Sequence, residues 1–528
     1  MMARARLLEK SSMHRLFYLI PIVASMAHAL AETPPLSPIS AERIKENVRV
    51  LSSDEFLGRG PGEPGEEKTI AYLAQQLEKA GLEPAGDNGS WYQDVPLVRL
   101  DRQPGATLEL KAAGNTLPLV LGRDATLSLR NSERTEVAEA PLMFAGYGIV
   151  APERGWDAYE DVDMAGKSPW CWRTTPISKA GKDLGFEGRR MTYGGRVGVK
   201  FEAAAKAGAA GVLVIHEEAA ASYPFSQLGS GDALPAVAFV PLNASALQFT
   251  GWITGEVAAD LLKRAKLNLA TLKTRARNPK FRAFPLEGAT VSAAGEIKAT
   301  PFVSRNVLAK IPGAARPNEF ILYGAHHDAN GQNGPDKTGD AIRNGAIDNA
   351  TGTAEVLEIA RAFKAGDAPA RTVVFALWAA EEKGLLGADY YASHPLCPLA
   401  TTAAVINLDP HVVLPAARDL ELIGGGRTTL EEDFARVAKA YRLRITPEPN
   451  PEAGWYFRSD HFPFARRGVP ALAFRAGRDL IDGGRAAGDK IVNAYNSSCC
   501  HQPCDEFNEK WTFARHGAGS DCRLLVRP

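Results

Sequence analysis

At 528 residues the chain exceeds a single compact hydrophobic core, so two domains behind a processed leader are the expected organisation. Lysine plus arginine equals aspartate plus glutamate at 61 each, which excludes the global charge bias of a nucleic-acid or anionic-membrane binder and favours a small or neutral partner. An apolar content of 45% with 23% charged residues is that of an ordinary soluble globular chain.

Arg4, Arg6, Lys10 and Arg15 precede an apolar run at residues 16–27, and the small-residue pattern Ala29-Leu30-Ala31 comes next. Residues 1–31 therefore read as a secretory signal peptide, separated from the mature chain by Pro34, Pro35 and Pro38. No later run of about 18 apolar residues occurs, so the expected product is exported to the periplasm or the medium without a membrane anchor. Six cysteines in so long a chain make no disulfide framework, and their pairing stays open.

Residues 32–134 form the N-terminal part of the main domain, with helices expected at 44–51 and 70–80. Between them the loop SSDEFLGRGPGEPGEE is either a plain connector or a lid edge. Residues 135–290 change character. Short strands (140–144, 211–215, 236–239) alternate with Ala-rich helices (200–207, 256–265), which predicts a smaller inserted α/β domain. It carries no ligand cluster, since His216 beside Glu217 and Glu218 reads as a solvated strand end. SRNVLAKIPG (304–313) then returns the chain to the main sheet.

Residues 291–528 hold the chemistry. Apolar runs at 320–325 and 372–379 flank Val356, Leu357, Ile359, Ala360 and Phe363 at helical spacing, so the unit is strand, loop, helix, strand, the signature of a parallel sheet. Ligands bind such sheets at the carboxyl ends of the strands. His326 and Asp328 stand there, two residues apart and on one face. Asp348 is at a helix start, where it could be an ordinary N-cap. Glu381 and Glu382 end another run at the Lys383-Gly384 turn, Asp409 ends the run 403–408, and His461 comes after Ser459 and Asp460 at an expected helix start. Each has a bland reading alone. Together, two imidazoles (His326, His461) and three carboxylates (Asp348, Glu382, Asp409) suit zinc, with Glu381 as the spare base. Two Zn²⁺, those carboxylates and one hydroxide sum to neutrality, which favours an activated water.

The stretches GAHHD, NGAIDNATGTAEVLEIARAF, AAEEKGLLGA, NLD and RSDHFPFARRGVPAL resemble the M28 family of zinc aminopeptidases, in the form with a protease-associated (PA) domain insert. The resemblance implies a mixed, largely parallel sheet flanked by helices, the zinc-exopeptidase fold, with a PA-like insert. It implies two Zn²⁺ held by His326 and Asp409, by Glu382 and His461, and by a bridging Asp348. Asp328 would orient His326. Glu381 would act as general base on a metal-bridging water, releasing N-terminal residues from peptides with a free amino end. It further implies a cis Asp348–Asn349 peptide. Tyr456 is a candidate for stabilising the oxyanion, and His501, in HQPCDE, for a place behind the ligands or on the substrate side. His411, two residues past Asp409, is expected to be a bystander. A glutaminyl-cyclase-like enzyme on one zinc and a non-catalytic binding ectodomain are the competing readings; the intact ligand set with Glu381 argues against both.

Two segments break the pattern. SPWCWRTTPIS (168–178) stands where an apolar strand is expected, and TFARHGAGSDCRLLVRP (512–528) where a terminal apolar helix is expected. Both read as shifted frames, with a natural variant as the alternative, and the expected result is an intact metal site on a weakened scaffold.

Overall fold

Eight runs make up most of the sheet that carries the chemistry: β1 (Tyr92–Arg102), β2 (Phe284–Ile311), β3 (Arg316–His326), β4 (Arg371–Trp378), β5 (Thr402–Leu408), β6 (Asp419–Ile423), β7 (Arg444–Pro447) and β8 (Ala471–Ala476). The computed structural model describes residues 39–129, 133–176, 184–221, 223–232, 234–241 and 247–513. The expected leader and the C-terminal residues 514–528 lie outside these. The strand order is β1-β2-β4-β3-β5-β8-β6-β7. The central β4, β3, β5 and β8 are mutually parallel, with antiparallel partners at β2 and β6. The sheet is therefore mixed and largely parallel, flanked by helices.

Continuous apolarity in β4 follows from its burial on both faces. Val373, Phe375 and Leu377 point into a core shared with α1 (Ala41–Leu51), α2 (Pro64–Lys79) and α3 (Thr351–Lys364). The alternate residues Val374, Ala376 and Trp378 point the other way, onto Ala388 and Tyr391 of the helix Leu386–Ser393. Each fully buried Val, Leu or Phe contributes about 1.5–3 kcal/mol, so this strand anchors both layers. The second helix starts at Pro64, earlier than the apolar spacing predicts, because proline at the first helical position costs no backbone hydrogen bond. No helix among the described residues is long and apolar enough to cross a membrane.

A second sheet has its own core, including Leu110, Leu142, Phe144, Trp170, Leu213, Phe249 and Val291. Residues 107–129 pack into it as well, upstream of residue 135. The expected strand Ala236–Phe239 forms, but it pairs antiparallel with β1 in the main sheet. β2 runs through both sheets: its first half pairs with Arg134–Phe144 and its second with β1 and β4.

The segment expected to break the pattern instead makes a strand, Ser168–Trp172, buried at every residue and parallel to its neighbours on both sides. Aromatic rings suit a pleated, buried surface as well as Val and Leu do. Phe144 meets Trp170 edge-on at 6.1 Å and Trp172 at 5.2 Å. Both indole N–H groups are buried without an acceptor among the described residues, at about 1–3 kcal/mol each. Residues 177 and 178 lie outside the described residues.

Glu66 on α2 is 2% exposed, accepting hydrogen bonds from the Gly62 N–H at 2.6 Å and from the Ser304 hydroxyl. Burial pushes its carboxyl up to about 7. A carboxyl raised on folding stabilises the native state most below its unfolded value of about 4.3, and that stabilisation is lost as pH rises through the folded value. Glu66→Gln keeps an acceptor oxygen and removes the ionisation. It should therefore raise the melting temperature at about pH 8, by up to about 3 kcal/mol of stability, and change it far less at about pH 5. Calorimetry at both pH values checks this, and an equal shift at both would rule it out.

Candidate metal centre

Three adjacent parallel strands deliver their ends to one edge. His326 closes β3, Glu381 and Glu382 come after β4, and Asp409 comes after β5. Asp348 sits in the single π-turn Ala346–Ala350 that leads into α3, and the Asp348–Asn349 peptide is cis. Asp348 is not the cap of that helix. Asn349 ties the turn down, its Oδ1 accepting from the Gly352 N–H at 3.0 Å while its Nδ2 donates to the Leu408 carbonyl at 2.9 Å.

His326 is wholly buried, with Nε2 3.1 Å from Asp409 Oδ1 and 3.2 Å from Asp348 Oδ1. Glu381 Oε2 lies 4.0 Å from the same nitrogen. On the other side of Asp348, Oδ2 lies 3.3 Å from His501 Nε2, which is 3.1 Å from Glu382 Oε2. One carboxylate thus turns an oxygen to each of two donor groups. The free thiol of Cys500 stands 3.9 Å from Asp348 Oδ2.

Asp328 works in two directions. Its carbonyl oxygen is 3.1 Å from His326 Nδ1, closer than its carboxylate Oδ1 at 3.6 Å. That carboxylate instead accepts from the Glu381 N–H at 3.0 Å and the Glu382 N–H at 3.3 Å, fixing the turn that presents both glutamates. Asp409 accepts from the Ser459 hydroxyl, which accepts in turn from Asn407 Nδ2 at 2.6 Å.

His461 is a correction. The expectation paired it with Glu382, but its ring lies edge-on to Tyr456 at 4.8 Å, and neither nitrogen meets a hydrogen-bond partner. Among the described residues no carboxylate comes within ion-pair distance of it. Burial, against smaller opposing contributions from Asp409 and the Tyr456 backbone, pushes it down to about 4. In the helix that begins at His461, its ring packs against Tyr456 beside Phe457 and Phe462.

His501 occupies the expected place instead. It sits in a short loop closed by a Cys499–Cys504 disulfide, with a left-handed backbone (φ 61°) that costs a non-glycine residue about 1–3 kcal/mol. The loop is tied to the site by Asp505, whose carboxylate accepts from the Ile347 and Asp348 N–H groups at 2.9 and 3.1 Å and from the Tyr495 hydroxyl at 3.0 Å. The legible signal was the pair of cysteines bracketing HQP. Asp505, Ser459 and Asn407 lie within HQPCDE, RSDH and NLD, but nothing in those stretches marks their contacts to the site. Tyr456 packs beneath Arg427 and does not line the cavity at the site, where Trp455, Phe457 and Arg458 do. His411 is a structural residue, 2.7 Å from Glu355 Oε2 and 2.9 Å from the Phe474 carbonyl.

The loop that could have been a connector or a lid is neither. Arg59 is 1% exposed and donates to four peptide carbonyls: His327 at 2.8 Å, Leu51 at 2.7 Å, Asn344 at 2.6 Å and Gly345 at 2.8 Å. It braces from behind the two loops that carry His326 and Asp348. Burial lowers its guanidinium to about 10.

Negative charge is in excess here. Burial pushes the Glu381 carboxyl well above its ordinary range, opposed by His326 and reinforced by Asp409, Asp460 and Glu382. Both oxygens of Asp460 are buried without a hydrogen-bond partner among the described residues. His326 is held well above its ordinary value, since Asp409 and Glu381 outweigh the burial that disfavours its charge. The ligand atoms of His326, Asp348 and Asp409 lie within 4.8 Å of one another, and so do those of Asp348, Cys500 and His501. Oxygen and imidazole donors around buried, uncompensated carboxylates fit Zn²⁺.

Residues 306–519, which include all these side chains except Arg59, match peptidase family M28. The chain is 43% identical over 103 residues to a probable zinc metalloprotease of Pyrenophora teres f. teres, covering 20% of this chain and 22% of that one. It is 30% identical over 203 residues to leupeptin-inactivating enzyme 1 of Streptomyces exfoliatus, covering 37% and 42%. The chain thus spans between about a fifth and two fifths of the length of these curated relatives. An aminopeptidase from Aneurinibacillus sp. strain AM-1 shares the fold, with a TM-score of 0.54 at 20% identity over 93% of this chain and 95% of that one.

Proposed function

We propose that the chain is an M28-type zinc aminopeptidase that removes N-terminal residues from peptides. The observation that carries this reading is Asp348, whose Oδ1 faces His326 and whose Oδ2 faces His501. His326 and Asp409 would hold one Zn²⁺, Glu382 and His501 the other, with Asp348 between them. Bound zinc supplies Lewis acidity toward a scissile carbonyl and makes a water molecule easier to deprotonate.

Glu381 is the proton carrier. It lies beside this donor set without being needed in it, and Asp328 pins its backbone so that the carboxylate returns to one position. It takes the proton of the attacking water and delivers it to the departing amine. The surrounding carboxylates favour a cationic substrate amine near the scissile bond, which gives exopeptidase action. The leader at residues 1–31 would direct export, and residues 135–290 would be a PA-like insert covering one side of the site.

A glutaminyl-cyclase-like enzyme would need one metal, and the two-sided Asp348 favours two. The test is zinc content with hydrolysis of aminoacyl p-nitroanilides by the mature protein. The expected result is about two Zn²⁺ per chain, activity abolished by a chelator and its return with Zn²⁺. One zinc with cyclisation of N-terminal glutamine would replace this reading with the cyclase, and zinc without turnover would leave a binding protein.

A further inference from the structure

Building on that reading, we infer that the cavity beside the metal centre binds a substrate carboxylate through Arg196, Arg458 and Arg475. These three arginines line the same cavity of about 360 Å³ as Glu381, Glu382 and Asp409. They come from separate elements. Arg196 precedes the helix Val197–Lys206 of the second layer, Arg458 comes directly after the turn Trp455–Phe457, and Arg475 lies on β8.

None of the three has a carboxylate within ion-pair distance among the described residues. Arg458 Nη2 is held by the Ala221 carbonyl at 3.0 Å and the Ala453 carbonyl at 2.5 Å, which fixes the group without neutralising it. Its Nε and that of Arg475 are buried and meet no acceptor among the described residues. The indole of Trp455 lies 4.4 Å from the Arg458 guanidinium carbon and 4.3 Å from that of Arg475, while Arg196 rests on Phe462 at 4.3 Å. Stacking holds the guanidinium planes, and a planar fork so held matches a carboxylate.

Partly buried cations with no carboxylate in direct ion-pair contact are costly, and an anion arriving with the substrate would lower that cost. The acidic residues lining the same cavity do not serve, because among the described residues none lies within ion-pair distance of these arginines. The carboxylate has two possible sources: the side chain of an N-terminal Asp or Glu, or the C-terminal carboxylate of a dipeptide.

The experiment compares kcat/KM of the zinc-loaded protein in two arms. The first sets Glu- and Asp-p-nitroanilide against Ala- and Leu-p-nitroanilide, and the second sets Ala-Ala against Ala-Ala amide. A preference of about tenfold or more in the first arm assigns the side chain, and in the second the C-terminus. In either case Arg475→Gln and Arg196→Gln should reduce that preference at least about tenfold, mainly through KM, with Arg475→Lys intermediate. Turnover of neutral substrates without preference in either arm overturns this inference and leaves the peptidase reading standing. A preference that survives both glutamine variants overturns the arginine assignment. No hydrolysis of any substrate sinks the peptidase reading, and this inference with it.

Discussion

Glu381→Gln should keep its zinc and lose about 10²–10⁴-fold in kcat. The substitution preserves volume and leaves the backbone N–H that donates to Asp328 in place, so the Glu382 turn stays where it is. It removes only the capacity to accept and return a proton. His326, Asp348 and Asp409 keep their mutual distances, because none of them uses Glu381 as its closest partner. Metal analysis beside steady-state kinetics separates the outcomes. Zinc loss would mean Glu381 is a ligand, and undiminished turnover would mean the base lies elsewhere.

The second large effect separates two histidines. His501→Ala should weaken zinc binding at least about 100-fold and abolish turnover, since it removes the imidazole facing both Asp348 and Glu382. His461→Ala should leave zinc binding near normal. Its cost is structural, about 2–4 kcal/mol for a cavity in the cluster with Tyr456 and Phe462. Zinc titration against a competing chelator, with thermal unfolding in parallel, reads both. The reverse pattern would restore His461 to the metal and displace His501.

That pair shows where legibility stopped. Strand ends could be read because a buried strand is a local event: an apolar run stops where polar chemistry starts, and His326, Glu381 and Asp409 each stand at or just past such a stop. His461 and His501 both come after loops, and which of them faces the sheet edge is decided by partners far away in sequence. Asp505 and the Cys499–Cys504 closure turn His501 inward, and aromatic packing keeps His461 aside. The strand Ser168–Trp172 was missed for a different reason. Its composition departs from alternating Val and Leu, yet its neighbours Phe144 and Leu213 accept tryptophan rings at those positions.

Arg59 sets the smallest piece of this chain that can carry the chemistry. The stretch matching the peptidase family begins at residue 306, and every proposed metal ligand lies within it. Yet the guanidinium bracing their loops comes from 268 residues before His327. Excised on its own, that stretch would leave the His327, Asn344 and Gly345 carbonyls facing an empty slot, at about 1–3 kcal/mol each. The N-terminal segment and the proposed metal site are thus one structural module. Recombination at the edge of the recognisable motif would pass on the ligands without the frame that holds them.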